Sequence, residues 1–143
     1  MAMEQWELES RMELEELLST YYKLGDSAKL TDQAGLFEPD GTVELYNRAT
    51  FVGREAIAKG YSGLNSNHVA EPGVTYIRHF SSNYTIQFQS KTDATGDGYW
   101  MVLNNHGPST WGRCRDQYRR ADENGPWRFV YRLVRGDPAA AQH

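Results

Sequence analysis

The helical and strand-like patterns of this chain are segregated along its length, and that order limits the available folds more than any single residue does. From about Glu4 to Leu24, the residues Leu14, Leu17, Leu18 and Tyr21 recur at three- and four-residue steps, with Glu7, Glu9, Glu13, Glu15 and Glu16 between them. This is the spacing of a helix with one apolar stripe, and Gly25-Asp26 ends it or marks a break. Residues 31–37 read as a short second helix with Thr31 as its N-cap, Pro39-Asp40-Gly41 as a turn, residues 42–46 as a short strand and residues 53–61 as a third helix. The stretch 62–73, rich in Ser, Asn and Gly, reads as a loop. Four strand-like runs follow at 75–89, 94–105, 110–120 and 127–134, separated by turn residues, and residues 136–143 read as a frayed tail. Helices first and long antiparallel strands after predict an α+β domain, its helices packed on one face of the sheet. A strongly curved sheet with three helices against its concave side leaves a cone, which is a natural ligand cavity.

A chain of 143 residues fits a single domain, 1–143, and its 39% hydrophobic and 24% charged content suits a folded globular protein. The formal net charge of −4 argues against a nucleic-acid partner, because that affinity is carried by a basic surface. Arg113, Arg115, Arg119 and Arg120, interleaved with Asp116 and Asp122, read as the solvated side of one strand. The single cysteine, Cys114, cannot form an intramolecular disulfide or a multi-cysteine zinc site. His68 and His106 have no spaced partners, so no metal site is expected. No apolar run approaches a membrane span of about 20 residues. The acidic start of the chain lacks a basic segment followed by an apolar one, so a cytoplasmic protein without a signal peptide is expected.

Two segments carry the chemistry: Tyr21-Tyr22-Lys23-Leu24-Gly25-Asp26 and Arg78-His79-Phe80. They offer a tyrosine, a carboxylate and an imidazole to one pocket. An imidazole titrates near operating pH and is suited to take a proton from carbon. Asp26 would accept a hydrogen bond from one ring nitrogen of His79, fixing its tautomer and stabilising the imidazolium that forms. Tyr21 would polarise a carbonyl or assist a leaving group, although the five-residue step to Asp26 does not place both on one ideal helical face. Tyr22, four residues before Asp26, competes for that place. On an alternating strand His79 shares a face with Ile77, Ser81 and Asn83, while Phe80, Tyr84, Ile86 and Phe88 share the other; if the first face lines the cone, His79 and Asn83 point inward together. Asn83, Trp100, Asn104, Phe37 and Tyr61 are the candidate substrate-binding residues. Each of these types is also at home as a capping carboxylate, a structural histidine or ordinary core packing.

The order of short segments resembles the SnoaL-like branch of the nuclear transport factor 2-like superfamily. Leu17-Leu18-Ser19-Thr20-Tyr21, Asp26 and Leu36-Phe37-Glu38-Pro39-Asp40-Gly41 resemble its opening helix pair, and Val52-Gly53-Arg54-Glu55-Ala56-Ile57 the start of its third helix. Arg78-His79-Phe80-Ser81-Ser82-Asn83 resembles the strand facing the cavity, while Gly112 to Tyr118 and Trp127-Arg128-Phe129 resemble the final strands. The resemblance implies a cone-shaped α+β barrel. The branch includes scytalone dehydratase, bile-acid dehydratases and hexachlorocyclohexane dehydrochlorinase, which place a His–Asp pair in the cone. His79 and Asp26 stand where that pair would be, and Tyr21 at a position that is tyrosine in the bile-acid type. Cys114, where relatives often carry Tyr, and Asn104, near a further carboxylate in some dehydratases, depart from the pattern. The resemblance therefore implies a cofactor-independent lyase or isomerase acting on a polyketide, terpenoid or steroid-like compound, and a homodimer or homotrimer. The rival is a non-catalytic protein of the same fold that binds a small ligand or a partner. Water addition to an epoxide would want a denser set of polar residues than an isolated His–Asp pair.

Overall fold

Ser10, Leu14, Leu18, Tyr22 and Asp26 lie at four-residue steps, and in the computed structural model they form the inward stripe of one long helix. The structure describes residues 2–69 and 71–138. Helix α1 spans Gln5–Asp26 and is capped by the Ser27 N–H donating to Lys23 O at 3.0 Å, so it runs through Gly25 and ends on Asp26 itself. Helix α2 is Leu30–Ala34, strand β1 is Phe37–Leu45, β2 is Ala49–Val52 and helix α3 is Arg54–Val69. Four strands follow: β3 at Ile77–Phe88, β4 at Asp93–Asn104, β5 at Gly107–Arg119 and β6 at Arg128–Gly136. The strands form one open six-stranded sheet in the order β2-β1-β6-β5-β4-β3. Only the β1–β6 pair is parallel among these pairings. The α+β class with N-terminal helices packed on a curved sheet agrees with the reading of the sequence.

Several local readings change. Phe37 opens β1 rather than closing a helix, and Pro39-Asp40-Gly41 lies inside that strand, at a register shift against β6 between Phe37 and Thr42. A proline cannot donate to a ladder, so the strand leaves its partner there. Gly41 lets the backbone fold close, since a Cβ on it would stand 2.9 Å from the Phe37 Cβ. Strand β2 was not anticipated. It pairs back on β1 through a tight turn in which Asn47 takes the left-handed conformation at φ 58°. The stretch read as a loop from residue 62 is helical to Val69. Its Ser, Asn and Gly residues are weak helix formers, and packing of α3 against β1 and β2 overrides that preference. Gly60 makes the approach possible, because a Cβ there would overlap the Phe51 ring. Asp137 continues the ladder by donating its N–H to Trp111 O at 2.9 Å. The remainder of the expected tail, from residue 139, lies outside the described residues.

The alternation assumed for β3 breaks once. Between Ser82, opposite Tyr99, and Thr85, opposite Asp97, two residues of β3 face one of β4. Asn83 sits in this bulge at φ 53° and is exposed, so it does not face inward with His79. The extra residue resets the phase of the strand. Tyr84, Ile86 and Phe88 therefore turn to the same inner side as Ile77 and His79, and join the core with Leu14, Leu18, Phe37, Tyr118, Trp127 and Phe129. A branched side chain fits the left-handed backbone poorly. Asn83→Val is accordingly expected to lower stability by about 1–2 kcal/mol in urea unfolding, with Asn83→Gly near neutral.

Candidate active site

The last residue of α1 meets the first half of β3. The Asp26 carboxylate holds His79 twice: Oδ2 accepts the His79 backbone N–H at 3.0 Å, and Oδ1 lies 2.6 Å from ring atom Nδ1. A carboxylate in that position accepts, so the ring proton sits on Nδ1 and the lone pair on Nε2. Tyr22, one turn before Asp26, stacks on the imidazole with ring centroids 5.3 Å apart and planes 19° from parallel. The helix thus supplies both the partner and the wall of the histidine.

Behind this pair lies a second, buried one. Arg132, 1% exposed on β6, stands opposite Asp116 of β5, with Nε 3.6 Å from Oδ1. Its Nη2 donates to the Tyr22 hydroxyl, and the guanidinium lies between the rings of Tyr21, Tyr22 and Phe129. Asp116 also accepts from the Tyr84 hydroxyl at 2.6 Å, and Tyr84 and Tyr118 share a short hydroxyl–hydroxyl contact. Tyr84 reaches Asp116 from β3 by crossing β4 above Gly96 and Gly98, where any Cβ would collide with its ring. Burial opposes the charge of Arg132, yet Asp116, then Tyr22 and Tyr21, hold it firmly protonated. Burial pushes the Asp116 carboxyl up, and Arg132 with the tyrosine hydroxyls pulls it back only in part. Arg132 Nη1 and Asp116 Oδ1 have no hydrogen-bond partner.

One member of each pair, His79 and Arg132, borders a cavity of about 700 Å³, a volume suited to a drug-sized ligand. Tyr21, Tyr22, Tyr61, His79, Trp100 and Arg132 line it. Tyr21 and Tyr61 join hydroxyl to hydroxyl, and with one proton shared between them the other remains free to donate to a ligand. Both adjacent tyrosines therefore face the cavity, Tyr22 beside the histidine and Tyr21 against Tyr61. Gln33 adds a buried Oε1 with no partner, its Nε2 being spent on Tyr21 O at 3.1 Å.

Three of the expected substrate-binding residues lie elsewhere. Phe37 is wholly buried core, stacked on Phe129 at 4.9 Å. Asn83 is exposed at the bulge. Asn104 borders a separate hollow of about 140 Å³ with Glu71 and His106, its Oδ1 accepting the His106 N–H at 2.8 Å. The strand thought to be solvated on its charged side is also corrected: Arg113, Arg115 and Arg119 are exposed, but Asp116 and Arg120 are buried. Asp116 lies in phase with Cys114 and Tyr118, and that period of two was the available signal. Nothing in the sequence marked Arg132 or Gln33. Cys114 is buried and inert, its thiol pushed up to about 11 mainly by burial. Among the described residues no group of three or more His, Cys, Asp or Glu could hold a metal ion, and no helix is long and apolar enough to cross a membrane.

The profile of the SnoaL-like domain matches residues 6–133, nearly the whole chain. The chain belongs to the SnoaL-like family. Solved structures share the SnoaL-like architecture over most of their length. An NTF2-like protein with a cystatin-like fold from Novosphingobium aromaticivorans is 27% identical, with a TM-score of 0.77 over 94% of this chain and 88% of that one. A candidate scytalone dehydratase from the same organism is 21% identical, with a TM-score of 0.77 over 94% and 89% of the two chains. LinA is 22% identical, with a TM-score of 0.72 over 92% and 88%. At these last identities the likeness establishes the fold. No curated protein matches the chain closely enough to count as a relative.

The buried tyrosines give this SnoaL-like chain a defined alkaline limit. Burial raises Tyr21, Tyr22, Tyr84 and Tyr118 well above the ordinary value of 10.0, and Tyr61 to about 12. Above about pH 10 an unfolded chain loses phenolic protons that the folded chain retains, so stability is intact below pH 10 and falls as pH rises beyond it. Melting temperatures followed by circular dichroism from pH 8 to 11.5 are expected to stay level and then drop. Phenolate absorbance of these tyrosines is expected to appear only with unfolding.

Proposed function

We propose that this SnoaL-like protein is a cofactor-independent lyase or isomerase that moves a proton on an apolar small molecule. The observation that carries the reading is the 2.6 Å contact between Asp26 and Nδ1 of a histidine that lines an aromatic-walled cavity. With Nδ1–H committed to Asp26, Nε2 takes a proton from the carbon next to a carbonyl, and the carbon–hydrogen electron pair flows into the enolate. The enolate oxygen is matched by a donor on the cavity wall, the free hydroxyl proton of the Tyr21–Tyr61 pair, with the buried cation of Arg132 behind it. Asp26 stabilises the imidazolium. If the neighbouring carbon bears a hydroxyl, the enolate expels it while the imidazolium returns its proton, and water leaves with the catalyst restored. If no leaving group is present, the same proton returns to another carbon, and the product is an isomer. The family resemblance and the candidate dehydratase among its structural neighbours support the elimination branch.

The test is exchange and elimination in D₂O. A panel of fused-ring β-hydroxy ketones is incubated with the protein and followed by NMR. Deuterium uptake at the α-carbon, with or without loss of the hydroxyl, is expected with the natural chain and not with Asp26→Asn. Ligands that bind without exchange across the panel would instead mark a ligand-binding protein.

A further inference from the structure

The cavity lining carries charge of one sign. Of the residues that border it, Arg48 and Arg132 are cationic and His79 is titratable, and among the described residues none is Asp or Glu. The chain as a whole has a formal charge of −4, so the lining runs against the overall balance. The two arginines are not equivalent. Arg132 is buried and already has Asp116 as its counterion. Arg48 is exposed, and its side chain makes no hydrogen bond or ion pair among the described residues; only its backbone N–H is used, donating to Leu45 O at 2.9 Å. The uncompensated charge of the cavity is therefore that of Arg48.

Its place in the fold is the mouth. Val43 of β1 lies beside Arg132 in the parallel ladder and Leu45 beside Val134. The tight turn that follows Leu45 carries Tyr46, Asn47 and Arg48. Along β6, Arg132, Val134 and Gly136 all border the cavity, the first buried and the last exposed. Four residues of strand at about 3.3 Å each separate the buried end from the rim by about 13 Å. That length holds two or three fused rings between a reacting carbonyl at the floor and a charged group at the entrance. A guanidinium without a partner binds a carboxylate through two parallel N–H donors.

We infer that the cavity selects an apolar molecule bearing a carboxylate, with the carboxylate paired to Arg48 at the mouth and the uncharged end against His79 and Arg132. This rests on the cavity of the proposed function being the substrate site, and it names the substrate class. The molecule enters ring-first, which places its charge in the better solvated region and its rings among Tyr46, Leu45, Val134 and Trp100.

The test uses a matched pair of probes, 2-naphthoate and its neutral isostere 2-naphthamide, titrated calorimetrically at low ionic strength. Naphthoate is expected to bind at least about tenfold more tightly, with the preference shrinking at high salt as the pair is screened. Arg48→Gln, a change at an exposed turn that leaves the core untouched, is expected to bring naphthoate down to the affinity of the amide while leaving the amide unchanged. Equal binding of the two probes, no binding of either, or a preference that survives Arg48→Gln overturns the inference. His79→Ala is expected to keep the preference intact. A chain that prefers naphthoate through Arg48 but exchanges no proton would therefore retain the carboxylate site and lose the lyase reading.

Discussion

Replacing His79 by alanine is expected to lower kcat by about 10²–10⁴-fold, the range that a positioned general base contributes, with little change in KM. On the proposed mechanism the loss falls on chemistry, because the imidazole is the base and among the described residues the cavity wall carries no carboxylate or second histidine to replace it. The fold is expected to survive. The backbone N–H of residue 79 still donates to Asp26 in the variant, and the side chain, 23% exposed, is removed from the wall of an open cavity rather than from the core. A melting temperature close to that of the natural chain, together with lost turnover, is the expected pair of results; retained turnover would refute the assignment. Asp26→Asn is expected to fail for a different reason. An asparagine amide can donate to Nδ1, which moves the ring proton to Nε2 and leaves no lone pair facing the substrate. The rate should fall while the melting temperature moves only modestly.

The second large effect concerns stability. Arg132→Met leaves Asp116 buried with the Tyr84 and Tyr118 hydroxyls and the Cys114 thiol but no cation, and removes the donor to the Tyr22 hydroxyl. Breaking a buried pair in this way costs about 3–5 kcal/mol, a large part of the 5–15 kcal/mol typical of a whole domain. Adding Asp116→Asn removes the stranded charge, and its amide oxygen still accepts from Tyr84. Urea unfolding of the double variant is therefore expected to recover more than half of the loss. An additive result would show that the two side chains do not act as a pair. The rescued double variant also separates folding from chemistry: it should be folded but slowed in turnover, because it lacks the Arg132 cation beside the cavity.

What the sequence exposed and what it hid divide along physical lines. The α+β order was legible because the helical stripe of α1 and the long alternating runs are local patterns. Asp26 and His79 were legible through short segments in a recognisable order, although they lie 53 residues apart. Asp116 and Arg132 were not, because a charged residue on an alternating strand reads as solvated until its partner is known, and that partner lies on a neighbouring strand. Tyr22 could not be separated from Tyr21 while the end of α1 was uncertain, since the face of each depends on whether the helix passes Gly25. Asn104 and Phe37 were misplaced for the opposite reason: both are inward-facing, as read, but inward at their positions means a side hollow and the packed core.

The bulge at Asn83 makes β3 two half-strands of opposite parity joined by one residue. Ile77 and His79 obey one numbering of the pleat, and Tyr84, Ile86 and Phe88 the other. Deleting a single residue there would keep both halves strand-like in pattern but force a choice between them. Either the aromatic half keeps its seat and the histidine rotates to the outer surface, or the reverse. The position of the imidazole is thus recorded as an odd or even count along the chain, and a graft of this site onto another scaffold must carry that extra residue with it. Length variation between His79 and Tyr84 across related sequences would then act as a switch of function rather than as loop drift.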